Sequence, residues 1–234
     1  MAMYMQLLVF LSTLVSCQQI GEFSPPTKWD IRSPCPAFNT MANHGYFPRS
    51  GSEIPAQQIV DVFREQFSLD PELSNLLISK AYLLNIGNPI KETIRLDQLR
   101  LHNAMEHDSS LVHNDFYFGP HYIVNQTLVD GLINSSKDGK YLTTNDIGEF
   151  RKERYDDSKR NNPTFDFSYI RQVATFGESG VMYAIFGNDK GIPNEYIRSF
   201  LGENRLPKEF TPKKSLVGQK TTENFAYIIA WASS

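Results

Sequence analysis

The chain has 234 residues, 41% of them hydrophobic, which is enough for one globular domain with a sizeable core or at most two small ones. A formal net charge of −3 and a pI near 6.0 leave no basic stripe and exclude an electrostatic case for nucleic acid. Aromatic residues make up 12%, with 16 Phe and 11 Tyr; a Phe-rich core fits them better than an apolar ligand pocket, the other reading that composition allows.

In chain order, residues Met3 to Ser16 form an apolar run too short to span a bilayer comfortably. It ends at small residues and reads as a signal peptide over residues 1–17, cleaved near Cys17. Leu14-Val15-Ser16-Cys17 also passes for a bacterial lipobox, whereas the sequons Asn125-Gln126-Thr127 and Asn134-Ser135-Ser136 favour a eukaryotic secretory route. If Cys17 leaves, a mature domain over 18–234 keeps a single thiol, Cys35, which cannot form an internal disulfide. Such a thiol pairs with another chain, stays buried and inert, or binds something.

Residues 18–34, with three prolines, suggest an extended entry segment. Ile59, Val62, Phe63 and Phe67 mark a helix. Asp70 caps another, with Pro71 first, Leu73, Leu76, Leu77, Ala81 and Leu84 as its apolar stripe, and Gly87 as its end. Asp97 is the next expected cap, with partly helical chain to His107. A short helix is expected at 125–136, one capped by Thr144 through Phe150 to Arg154, a polar loop at 156–163, and a long helix from Phe167 to Phe186. The chain from Gly191 to Gly218 reads as irregular and Asn224 to Trp231 as regular. Strand alternation is scarce, repeats are absent and no linker stands out, so a single, mostly α domain is expected.

Three local patterns carry chemistry. In Pro34-Cys35-Pro36, the prolines stiffen the backbone around the thiol, and Pro36 suits the first helical position. A helix starting there aims the free N–H groups of Ala37 and Phe38 at the sulfur and favours a thiolate. The bland alternative is a small buried hydrophobe. In Glu106-His107-Asp108-Ser109-Ser110, three consecutive ionisable groups are awkward to bury. On a helix, Glu106 and Ser110 would share one face and an oxygen-seeking cation; a solvated turn is the alternative. His102 to Glu106 lacks the His-Glu-x-x-His order of zinc proteases. Glu178 stands in an apolar helix between Gly177 and Gly180, with Ala174, Glu178 and Val181 on one face. Each helical glycine costs about 1 kcal/mol relative to alanine, so a pair suggests close approach of something large and flat, or a helix crossing. The stretch from Asn134 fails as an EF-hand, because its twelfth position is Asn145 rather than Glu.

Together these stretches resemble the haem-thiolate peroxidase family, which holds chloroperoxidase and the fungal peroxygenases. The matching text is Pro34 to Asn39, Ala42-Asn43-His44-Gly45-Tyr46-Phe47-Pro48-Arg49-Ser50-Gly51, His102 to Leu111, Phe150-Arg151 to Arg154, and Asn162-Pro163. The resemblance implies a helical, chloroperoxidase-like domain enclosing haem b, with Cys35 as axial ligand of the iron and Ala37, Phe38 and Ala174 against the cofactor. It implies Glu178 as the acid–base group and His107 as its partner, as in the short members. Long members carry an arginine there, with Glu-Gly-Asp in place of Glu-His-Asp. It further implies Mg²⁺ or Mn²⁺ beside a haem propionate, held by Glu106, the carbonyl oxygen of His107, and Ser110. His113 stands where the family commonly has arginine, and Gly119-Pro120-His121 replaces its usual Gly-Asp-Asn-His.

The activity so implied is secreted oxidation or oxygenation of small, largely apolar or aromatic organic molecules by hydrogen peroxide. Halide oxidation on the same fold and a non-catalytic secreted haem-binding protein are the rivals; binding alone needs neither Glu178 nor His107, which argues against the latter. Stable membrane association is not expected. Without a C-terminal cysteine a disulfide-linked dimer is unavailable, which leaves a monomer or a non-covalent dimer.

Overall fold

A computed structural model describes residues 19–83, 93–104 and 106–234. The expected signal segment, the helix end at Leu84 and Gly87, and Met105 lie outside these residues.

The described chain is mostly α, as expected. Helix α1 (Pro36–Asn43) begins at a proline and leads through strand β1 (Ile54–Pro55) into α2 (Ala56–Phe67). On α2, Ile59, Val60, Val62, Phe63 and Phe67 are buried, each stabilising the fold by roughly 1.5–3 kcal/mol. Helix α3 (Pro71–Leu83) starts beside Asp70, whose Oδ1 accepts the Glu72 N–H at 2.7 Å. Among its described side chains, Leu73, Ser74 and Ile78 are buried, while Leu76 and Leu77 face solvent, so the described part of the expected stripe is rotated.

Strand β2 (Thr93–Ile94) pairs antiparallel with β1, and a 3₁₀ turn follows over Leu96–Arg100. Asp97 does not cap it: its carboxylate pairs with Arg95 at 2.9 Å. The described residues beyond Leu101 are irregular, not helical, down to the 3₁₀ turn at Phe116–Phe118. The helical face expected to bring Glu106 to Ser110 therefore does not form. Helix α4 (Gln126–Asn134) is capped by Asn125, which accepts from the Thr127 N–H at 3.0 Å. After strand β3 (Tyr141–Leu142), α5 (Thr144–Asn161) opens on a capping box between Thr143 and Asp146. Residues 156–161, expected as loop, extend this helix, because its buried face continues through Ser158.

Helix α6 (Tyr169–Phe186) follows, and β4 (Ile192–Pro193) returns to pair antiparallel with β3. A short α7 (Asn194–Ile197) runs into a π turn at Arg198–Gly202, and α8 (Gln219–Ala232) closes the chain. Helix α8 lies across α5 and α6. The crossing needs glycine: a Cβ on Gly180 would stand 2.3 Å from the Thr222 carbonyl oxygen. Many of the phenylalanines form core, while Phe116 and Phe118 are exposed. Phe38, Phe47, Phe63, Phe67, Phe186 and Phe200 touch in sequence, with ring centroids 4.6–5.9 Å apart for most pairs and 6.1 Å between Phe67 and Phe186. No helix among the described residues is long and apolar enough to cross a membrane.

Candidate active site

Cys35 occupies the N-cap of α1, with Pro36 as the first helical residue. Asn39 fixes the approach to it. Its Oδ1 accepts the Ser33 N–H at 2.8 Å, its Nδ2 donates to the Ser33 carbonyl oxygen at 2.7 Å, and Ser33 Oγ accepts the Cys35 N–H at 3.1 Å. Burial pushes the Cys35 thiol up, opposed by the N–H groups of Phe38 and Ala37, and the Glu178 charge raises it further. The thiol at the head of α1 and the carboxylate on α6 thus share one electrostatic environment.

Glu178 lies between the Arg151 guanidinium and the His107 imidazole. Its Oε1 accepts from Arg151 Nη2, and its Oε2 stands 3.4 Å from His107 Nε2. Burial opposes its charge, but Arg151 first and His107 second prevail and bring the carboxyl down to about 2. His107 is buried, and its Nδ1 donates to the Asp108 carbonyl oxygen at 2.8 Å. Nε2 can then meet an ionised Glu178 favourably only by carrying a second proton. Burial works against that proton, yet the Glu178 charge prevails and the His107 pKa is raised. Ala174, one turn before Glu178, is half-buried on the same helix face.

The loop that carries His107 is held from α5. Arg151 Nη1 donates to the Ser109 carbonyl oxygen at 3.2 Å and Arg154 Nε to that of Ser110 at 2.9 Å. Asp115, itself buried, accepts the Ser109 N–H at 2.9 Å and Asn162 Nδ2 at 3.0 Å. The stretch from Phe150 to Asn162 is therefore the brace of this site. Arg151 is the side chain against Glu178 that residue-by-residue reading did not assign; the available signal was an arginine on the buried face of an otherwise polar helix.

In the same loop, ligand atoms of His102, Glu106 and Asp108 lie within 4.8 Å of one another. His102 Nδ1 donates to Glu106 Oε2 at 2.7 Å, while the buried Glu106 Oε1 and Asp108 Oδ2 have no hydrogen-bond partner. Ser110 Oγ instead lies 3.2 Å from His113 Nδ1. Burial brings the His113 pKa down to about 4, so this ring is neutral at physiological pH. Of the two glycines beside Glu178, Gly180 serves the α8 crossing, whereas a Cβ on Gly177 would meet nothing within 4 Å.

The profile described as peroxidase, family 2, matches residues 21–215. The chain belongs to this family, that of the haem-thiolate peroxidases. It is 29% identical to the aromatic peroxygenase of Coprinellus radians over 213 residues, 80% of this chain and 81% of that protein. It is 30% identical to the aromatic peroxygenase of Cyclocybe aegerita over 212 residues, 80% of this chain and 56% of that one. The chloroperoxidase of Leptoxyphium fumago matches at 29% over 101 residues, 40% of this chain and 26% of its own length. Membership of the haem-thiolate peroxidases implies a haem cofactor. The donor set here fits one: a thiol facing two N–H groups at the head of a helix, within electrostatic reach of a half-exposed carboxylate.

Proposed function

We propose that this chain is a secreted haem-thiolate peroxygenase that uses hydrogen peroxide to oxidise or oxygenate small apolar or aromatic organic molecules. The single observation that carries the reading is the placement of Glu178, held between Arg151 and His107, within electrostatic reach of the Cys35 thiol. Relatives called aromatic peroxygenases, matching four-fifths of the chain, support oxygenation over the halide chemistry suggested by the shorter chloroperoxidase match.

In this reading Cys35 holds the iron, and the N–H groups of Ala37 and Phe38 stabilise its thiolate. Haem b supplies the oxidising chemistry once peroxide has reacted. Glu178 accepts a proton from one peroxide oxygen and returns it to the other, which leaves as water. His107 carries a proton beside Glu178 Oε2 and keeps the carboxylate oriented. Ala174, one turn earlier on the same helix, is the residue the family resemblance would set against the cofactor.

A divalent cation, Mg²⁺ or Mn²⁺, fits the 102–110 loop. Glu106 offers a free oxygen, and Asp108 and His102 are the side chains that converge on it. Ser110 and the His107 carbonyl oxygen are the further ligands that the family resemblance assigns. Such a cation would neutralise two buried carboxylates that are otherwise incompletely paired. The sequons and the fungal relatives favour an extracellular location.

The deciding measurement is the absorption spectrum of the reduced protein under carbon monoxide, with the Cys35→Ala variant beside it. A thiolate-type Soret band in the wild type, lost in the variant, is expected; an unchanged iron spectrum after that substitution overturns the reading. Glu178→Gln should keep the haem and abolish turnover.

A further inference from the structure

Arg151 has 2% of its surface exposed and is the largest fully buried side chain described. Its guanidinium reaches two segments at once. Nε donates to Ser179 Oγ at 2.9 Å and Nη2 to Glu178, neighbours on α6, while Nη1 donates to the Ser109 carbonyl oxygen in the His107 loop at 3.2 Å. Three directional bonds fix the plane of the fork, which an ammonium cannot imitate. Ser109 has a left-handed backbone with φ 60°, so the arginine also secures a turn that a serine seldom adopts.

We propose that Arg151 is the positioning residue of the proton-transfer step: locked by Ser179 and the Ser109 carbonyl oxygen, it holds Glu178 Oε1 and leaves Oε2 turned to His107. This rests on Glu178 being the proton-transfer group. His107 alone does not fix the carboxylate, because 3.4 Å lies beyond the usual 2.7–3.2 Å of an N–H···O bond. Glu178 is also a long side chain with 49% of its surface exposed, free to change rotamer unless something buried holds it. The bland reading is that a buried arginine merely needs a counter-charge. Arg154, one turn on, shows what that looks like: its nearly buried guanidinium reaches the buried Asp115 at 3.5 Å and the surface Asp157 at 2.8 Å. Arg151 differs in what its carboxylate meets: Glu178 also stands 3.4 Å from the buried His107, so the arginine sets how that carboxylate faces a second titratable group.

The test uses haem-loaded protein and stopped-flow reaction with hydrogen peroxide, comparing wild type with Arg151→Lys, Ser179→Ala and Glu178→Gln. Arg151→Lys should keep the ferric and carbon-monoxide spectra and the KM for the organic substrate. Its kcat and its rate with peroxide should fall about 10²-fold, the scale of a misplaced catalytic group. Ser179→Ala loosens the fork without touching either charge and should lower the same rate about tenfold, the scale of one lost hydrogen bond to a charged group. If Arg151→Lys does not fold, Ser179→Ala decides. Arg151→Lys or, failing it, Ser179→Ala reacting at the wild-type rate, or slowed only in proportion to lost haem, overturns the inference. A Glu178→Gln variant at full rate overturns instead the assignment of Glu178 on which it rests.

Discussion

At the scale of single residues, the proposed ligation of haem iron by Cys35 makes cofactor uptake depend on the proton of that thiol. Burial pushes the free thiol pKa up against the two N–H groups at the head of α1, so the proposed ligation to iron releases a proton wherever the thiol still carries one. Below the thiol pKa, haem affinity should therefore fall about tenfold per unit drop in pH. A haem titration at two pH values below it reads this directly, and a pH-independent affinity would show that the sulfur is not the ligand. The cysteine was legible because its signal is local: two prolines and a helix start within three residues. The partner of Glu178 was only half legible. His107 came with a motif, but Arg151 lies 27 residues away along the chain, and nothing in its neighbourhood marks which carboxylate it meets. Asp97 shows the opposite failure, a local cap signal overridden by an adjacent arginine.

At the scale of elements, the two glycines around Glu178 separate by what they touch. On Gly180 a Cβ would stand 2.3 Å from the Thr222 carbonyl oxygen and 2.9 Å from the Ala226 nitrogen, backbone atoms that move only with α8. Gly180→Ala should destabilise the protein by about 1–3 kcal/mol. Gly177→Ala meets no protein atom within 4 Å and, in the haem-free protein, should instead stabilise α6 by about 0.5–1 kcal/mol through helix propensity. Denaturant unfolding of the two variants checks both signs. Helices α2, α4 and α6 were readable because their apolar positions repeat at helical spacing. The rotation of α3 and the extension of α5 were not: Leu76 and Leu77 face solvent, and polar Ser158 is buried. Periodicity registers hydrophobicity, not which face a tertiary neighbour covers.

For the whole molecule, His44 ties the entry segment at Gly21 to the segment that follows the π turn at Leu206. Its Nδ1 donates to the Gly21 carbonyl oxygen at 2.8 Å, and its Nε2 accepts the Leu206 N–H at 3.1 Å, a pairing possible only for the neutral ring. Burial lowers its pKa, and the Arg205 and Arg49 charges add to this, against the Gly21 bond. A depressed folded pKa means the stabilisation is complete above the unfolded value near 6.5 and is lost as pH falls through the folded one. Between pH 7 and 5 the wild type should lose about 1 kcal/mol more than His44→Gln, the scale of the Leu206 bond; equal pH slopes in thermal unfolding would remove His44 from this role. By itself the sequence determined the helical class, the family, the thiol at a helix start and the carboxylate on a long helix, because each is written in residues close together in the chain. Only tertiary structure decided that Glu178 stands between Arg151 and His107, that α5 braces the loop carrying His107, and that the free oxygens of Glu106 and Asp108 belong to one cluster with His102. Those relations join separate segments, and a buried charge takes its partner from whatever packing brings within reach.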